Sequence, residues 1–453
     1  MFTFTKDFNC CKTVHCQNFA VENSADYIQK SWQLGYLSIA CTSCGSYPPW
    51  VNNKLVEQII NEKLEVNFAR KLTGCRKCAK YFVFDKSIKS ISYGYTSAGT
   101  QRKKCSACDA VFTQANFKNI NAFRLILSSI KANQNIKESI KSTGLSARLY
   151  YFYLDKLAQI FINFSRLNEE KVTHGKQMSF YTEGKVVHLA HKRGFYTLLT
   201  SDVGSGYLFL QNNNLTSQVF AQEAVYDEQE NTIITVNNND NLEMVLIDRY
   251  EQHLKRKHFE QLLVGELKPL TKCHLLYPDR LAYAHFQLLN AFTAKTSSYI
   301  HYIEHESCFR SAALMASAAD IKTAKAEVCF YFDATQKGEH LQGKKIGWWG
   351  DRWFSNDFGA YCPIASHTKF NPHLKLTDTS SIDLFSAYLD DNLNKEINSL
   401  NVINNLSEIH RIIFNYCELK NNSSRATLLK ITDTIYTPQS LLDAALKNIM
   451  NCY

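Results

Sequence analysis

Proline is scarce in this chain of 453 residues, which has seven, and glycine contributes only 17. With no low-complexity tract either, a collagen-like, linker-dominated or disordered polypeptide is excluded. No stretch reaches the ~18–20 consecutive apolar residues that a membrane-spanning helix needs, so no membrane partner is expected. Residues 1–12 lack a basic segment followed by an apolar one, so no secretion signal is read and a cytoplasmic protein is expected. A Gly-rich phosphate loop and a Ser-His-Asp or Cys-His nucleophile pair are missing too. What is there is the composition of a folded protein, 45% hydrophobic and 21% charged, with length for two to four domains.

The positive charge is confined to one end. Residues 1–160 carry 22 Lys+Arg against 10 Asp+Glu, an excess larger than the +9 of the whole chain, so the remainder is slightly acidic. Clustered Lys and Arg suit a polyanion, because neutralising phosphates releases counterions; the alternative is a solvated basic surface.

Cysteine is plentiful and unevenly placed: nine of the 15 precede residue 110. Cys75-x2-Cys78 is followed after 26 residues by Cys105-x2-Cys108, and each CxxC puts two thiolates on one tight turn. Two such turns make a tetrahedral four-sulfur site that suits zinc. Cys11, Cys16, Cys41 and Cys44 repeat the plan with 24 residues between halves, with Cys10 able to replace Cys11 and His15 a further candidate. Two structural zincs are therefore expected, closed sites that stabilise folding and leave no open position for catalysis. Cys273, Cys308, Cys329, Cys362, Cys417 and Cys452 lack ligand spacing and read as small apolar residues.

Apolar periodicity then predicts helices over 122–132, 135–142 and 147–164, with Thr143-Gly144 as the turn and Ser146 as N-cap. This is a helix-turn-helix pattern, whose second helix would enter the major groove of double-stranded DNA. Arg148, Tyr150 and Tyr151 stand near its start, and Arg102, Lys103 and Lys104 precede the last knuckle; these are the candidate DNA contacts, and a plain helical hairpin is the alternative.

The segment from Gly74-Cys75-Arg76-Lys77-Cys78 through Tyr93-Gly94-Tyr95-Thr96-Ser97-Ala98-Gly99-Thr100-Gln101-Arg102-Lys103-Lys104-Cys105-Ser106-Ala107-Cys108 to Phe112 resembles the N-terminal module of bacterial insertion-sequence transposases of the InsA/InsB type. The resemblance spans roughly residues 72–160; Lys103 stands where the family usually has an aromatic, and the ribbon at 11–44 is extra. It implies a multidomain chain: a first zinc ribbon at 1–50, a second at 51–120, a helix-turn-helix at 121–168, and an α/β RNase H-like domain at 169–453 with insertions near 212–275 and 336–378. In such a core three acids hold Mg²⁺ or Mn²⁺ for strand cleavage and transfer. Strands are expected at 178–190, 194–202, 206–211, 298–306 and 326–332, with helices at 308–319 and 382–400. The acids then fall at Glu183 (unless Thr182 holds the position), at Glu306 within Glu304-His305-Glu306, and at Asp383. Glu replaces the usual Asp twice and Asp383 stands where Glu is usual, so a domesticated, inactive DNA-binding protein acting in regulation or defence is the alternative. The resemblance also implies a homo-oligomer.

Lys255-Arg256-Lys257-His258 reads as a solvated run or a phosphate contact, and Trp348, Trp349 and Trp353 as a loop anchor or a stacking platform. His285 is expected to be a satisfied core histidine.

Overall fold

The computed structural model describes residues 6–31, 37–68, 75, 90–113, 119–218, 268–304, 307–333, 345–346, 351–352, 354–355, 359–366, 379–393 and 396–451. Cys78, Glu306, Cys452, the basic run at 255–258, the three tryptophans and most of both expected insertions lie outside these residues.

The chain opens with the antiparallel pair β1 (Tyr27–Ser31) and β2 (Ser38–Cys41), then helix α1 (Asn53–Asn67). Asn52 caps α1 by accepting from the Leu55 N–H. Its buried Leu55, Val56, Ile59, Ile60 and Leu64 form one stripe, packed on a later helix of the α/β domain. Although it falls at 51–120, α1 is therefore part of the α/β core and not of the second ribbon. Within 51–120 the strands β3 (Ser90–Tyr95), β4 (Gln101–Cys105) and β5 (Val111–Thr113) form a three-stranded antiparallel sheet.

Three helices follow: α2 (Ile120–Lys131), α3 (Ile136–Thr143) and α4 (Ala147–Thr173). Asn135 and Glu138 form a capping box on α3, Gly144 ends it at φ 66°, and the Ser146 hydroxyl caps α4. Helix α4 is one piece of 27 residues, running unbroken through the expected boundary at 168–169.

The α/β unit is built on a seven-stranded mixed sheet. Strands β6 (Gln177–His188), β7 (Gly194–Asp202) and β8 (Leu208–Asn213) make an antiparallel meander. The short pair β9 (Leu215–Thr216) and β10 (His274–Leu275) leads to helix α5 (Pro278–Thr293). Strand β11 (Ser298–Glu304) joins β6 in parallel, and helix α6 (Ser307–Lys322) crosses to the parallel β12 (Ala326–Asp333). After the small pair β13 (Lys345–Ile346) and β14 (Asp351–Arg352) come β15 (Phe354–Ser355) and β16 (Gly359–Ala365), giving the order β15-β16-β12-β11-β6-β7-β8. Residues 359–365 thus extend the sheet, where an insertion was expected. All nine residues of β7 are buried, so helices cover both sheet faces.

Helices α7 (Ser381–Asn392), α8 (Leu400–Tyr416) and α9 (Pro438–Asn451) complete the fold. The helix expected at 382–400 ends at Asn392, where Leu393 turns extended, and the next begins at Leu400. The second half of α4 lies against α8 and β8 through a buried ionic cluster. Arg166 pairs with Glu169 at 2.7 Å, Arg411 with Glu408 at 3.0 Å and with Glu169 at 3.4 Å. Both arginines also donate to backbone carbonyls of β8, at Phe209 and Leu208. Burial alone would raise the Glu169 carboxyl, but Arg166 and Arg411 hold it below its ordinary value. Helix α9 packs on α2 and α4, with Arg124 reaching Asp443 at 2.9 Å. No helix among the described residues is long and apolar enough to cross a membrane.

Candidate metal centres and an acidic cluster

The Sγ atoms of Cys11, Cys16, Cys41 and Cys44 all lie within 4.8 Å of one another, with Cys11···Cys44 at 3.6 Å and Cys16···Cys41 at 3.9 Å. A tetrahedron with Zn–S bonds of 2.3 Å has edges of about 3.8 Å, so the set can hold a zinc ion. Cys75, Cys105 and Cys108 form a second group, with Cys75···Cys108 at 3.4 Å; Cys78, expected as its fourth ligand, lies outside the described residues.

The two sites are built alike. In the Cys41–Cys44 knuckle, Gly45 stands at φ 68° and its N–H donates to the Cys41 carbonyl; in the Cys105–Cys108 knuckle, Asp109 at φ 56° does the same to Cys105. Backbone N–H groups two residues on aim at sulfur, Thr13 at Cys11, Asn18 at Cys16 and Ala107 at Cys105, an outer shell that favours thiolates. Burial works against the Cys44 thiolate, but the Ser46 hydroxyl and N–H and the Thr13 hydroxyl outweigh it and bring the thiol down to about 6. Cys10 is settled as a non-ligand: its sulfur turns to Met315 Sδ at 3.3 Å, and burial pushes its thiol up to about 11. His15 is not in the group either. Of the scattered cysteines, Cys273, Cys329 and Cys362 are buried and Cys308 and Cys417 half-buried.

The acids come together at the middle of the sheet. Ile303 of β11 pairs with Thr182 of β6, which sets Glu304 beside Glu183. The acid the fold brings to Glu183 is thus Glu304, at the end of β11; Glu306 is not among the described residues. The Gly184 N–H donates to Glu304 Oε2 at 3.0 Å. Lys185, two residues along β6 and so on the Glu183 face, donates to the Glu183 carboxylate and to Asp383 Oδ1, the latter at 2.7 Å. Among the described residues only the two cysteine groups close to within 4.8 Å; Glu183 and Asp383 converge on the lysine between them, and Glu304 stands beside on the Gly184 N–H.

Two glycines allow this approach. A Cβ at Gly184 would fall 1.7 Å from the Tyr196 hydroxyl, and one at Gly206 (φ 72°) would fall 1.8 Å from Ser381 Oγ. The β7–β8 turn at Gly206 thus lets α7 sit close enough to present Asp383 from its first turn. Burial and the Glu183 charge raise the Glu304 carboxyl to about 7 against the pull of the Gly184 N–H, and burial raises Glu183 despite Lys185.

Beneath Glu183 runs a buried polar chain. His285 Nε2 meets Thr200 Oγ1 at 2.7 Å, Thr200 meets Thr182 Oγ1 at 2.6 Å, and Thr182 meets His301 Nε2 at 2.7 Å. Asn212 Nδ2 lies 2.9 Å from His285 Nδ1. An amide donating to Nδ1 makes Nε2 of His285 the protonated nitrogen, so the hydroxyls point onward and His301 accepts at Nε2. Burial holds both imidazoles down at about 3, and they stay neutral. His285 is therefore a satisfied core residue, as its sequence context indicates, and Thr182 is locked inward, leaving Glu183 as the acid of β6.

Of the proposed DNA contacts, Arg102 and Arg148 are exposed and Lys103 and Lys104 half-buried. Tyr150 does not fit that role: it is 1% exposed, its hydroxyl turned to Ser139 of α3 and Ser129 of α2, while Leu149, Tyr151 and Phe152 face outward. No protein-family model, curated protein or solved structure matches the chain.

Proposed function

We propose that this chain is a transposase-like DNA-binding protein that cleaves and joins DNA strands with Mg²⁺ or Mn²⁺. The observation that carries the reading is the meeting of Glu183, Glu304 and Asp383, from the first strand of a meander, the end of the neighbouring parallel strand and a later helix. A meander flanked by two parallel strands, in the order β12-β11-β6-β7-β8, is the arrangement expected of an RNase H-like core. Carboxylate oxygens are the hard donors that Mg²⁺ and Mn²⁺ take, so the residues fit such ions. Bound there, a divalent ion supplies activation of water and neutralisation of the phosphodiester. Glu183 and Glu304 would hold it from the sheet and Asp383 from α7. The two cysteine groups take zinc as structural centres, Arg102, Lys103, Lys104 and Arg148 engage phosphates, and double-stranded DNA and a second copy of the chain are the partners.

Lys185 favours a second reading, a transposase-derived DNA-binding protein without chemistry, because an ammonium already neutralises two of the acids. One experiment separates them. Supercoiled plasmid at low salt with Mg²⁺ is nicked by the wild type and not by Glu304→Gln, while both retard duplex DNA equally. Binding without nicking by the wild type overturns the first reading in favour of the second; no duplex binding at low salt overturns both.

A further inference from the structure

Among the described residues Lys185 is the cation set between the acids, and its surroundings differ on its two sides. Toward the sheet stands Glu183, whose side chain is 6% exposed; toward solvent stands Asp383, 54% exposed, and the lysine itself is 21% exposed. Glu304 is held separately, by the backbone N–H of Gly184. The ammonium thus spans a buried acid and a solvated one, and its four-carbon stem has an open side by which to leave. Two positive charges cannot share the space between Glu183 and Asp383 without strong repulsion.

We infer that Lys185 is a tethered counter-ion that occupies the divalent-ion position of the acidic cluster and must swing out before an ion can bind. The inference rests on the metal-site reading above. A displaced ammonium needs a new partner, and the phosphodiester of bound DNA is the anion at hand, so DNA and the divalent ion load with positive coupling. The protein without DNA then holds its acids neutralised, and the site is armed only on its substrate.

The test is Mn²⁺ binding to zinc-loaded full-length protein, followed by calorimetry and by the electron-spin-resonance signal of free Mn²⁺, with and without a duplex oligonucleotide. Lys185→Met is expected to bind Mn²⁺ about tenfold or more tightly than wild type in the absence of DNA. Lys185→Arg, which keeps the cation, stays at the wild-type value. Duplex DNA tightens Mn²⁺ binding to wild type and has little effect on Lys185→Met, and adding Glu183→Gln to Lys185→Met removes the binding. Equal or weaker Mn²⁺ affinity in a Lys185→Met protein that melts like wild type overturns the inference and leaves the metal site standing. No acid-dependent Mn²⁺ binding in either protein, with or without DNA, overturns the site and the inference together.

Discussion

The two cysteine groups have the same knuckle geometry and opposite surroundings. The first is embedded. Phe8 stacks edge-on against Tyr283 of α5 at 5.1 Å, Lys12 donates to the Tyr283 hydroxyl at 2.7 Å, and Cys10 meets Met315 of α6. The second stands out from the fold. Every residue of β3 is exposed, Ile91, Tyr93 and Tyr95 of β3 and Val111 of β5 present apolar surface, and Lys104 pairs with Asp109 of the adjoining knuckle at 2.8 Å. The same ligand chemistry therefore serves two ends. A thiolate centre fixes only its own few residues; what those residues touch decides whether the fixing reaches the domain core.

Removing one ligand from each group tests the contrast where it is largest. Cys41→Ser is expected to lose a zinc and lower the main melting transition by roughly 10 °C, since metal binding at an embedded site is folding free energy. Cys105→Ser is expected to lose a zinc and leave that transition within about 2 °C. Calorimetry with zinc analysis reads both, and equal shifts would break the comparison.

A smaller effect isolates the docking from the metal. Lys12→Met keeps all four thiols but removes the ammonium that donates to the Tyr283 hydroxyl, and should cost about 1–3 kcal/mol. The denaturant midpoint measures it, and an unchanged midpoint would mean that the ribbon is held by its apolar contacts alone.

The smallest effect sharpens the comparison from a third region, buried like the first group but electrostatically strained. Glu304 is raised to about 7 in the fold, so the native state holds its proton more tightly than the unfolded chain does. Its contribution is complete below about pH 4.5 and lost as pH rises through 7. Glu304→Gln keeps the acceptor for the Gly184 N–H and removes that loss, so it should stabilise by roughly 1–2 kcal/mol at pH 8 and by little at pH 4.5. Chemical melts at the two pH values decide; a variant equally displaced at both would show that Glu304 is not strained.

Legibility from sequence follows the range of the interaction. The knuckles were readable because CxxC is local chemistry, and the Ser146 and Gly144 signals because caps are local too. The strands of the meander fall where their apolar runs put them, to within two residues. Tyr150 could have been placed correctly, since it begins the stripe Tyr150, Leu154, Leu157 and Phe161, the spacing of a buried helix face. Lys185 also left a signal, its two-residue offset from Glu183 on a strand. The choice of Glu304 depends on the β6–β11 register, the docking of α1 and α9 on distant helices, and the break at Leu393 on packing; none of these is written in a local pattern.

Helix α4 has a consequence for the spacing of any DNA the protein handles. Twenty-seven residues make a rod about 40 Å long, and the step along it from Arg148 to Arg166, which donates to the Phe209 carbonyl of β8, covers about 27 Å. Along a duplex rising 3.4 Å per base pair, that step is about eight base pairs, slightly less than one turn. A flexible linker would let the gripped sequence and the cut position drift relative to each other. If the protein grips and cuts DNA as proposed, the rod acts as a ruler, and a single inserted base pair would rotate the cut face by about a tenth of a turn away from the acids.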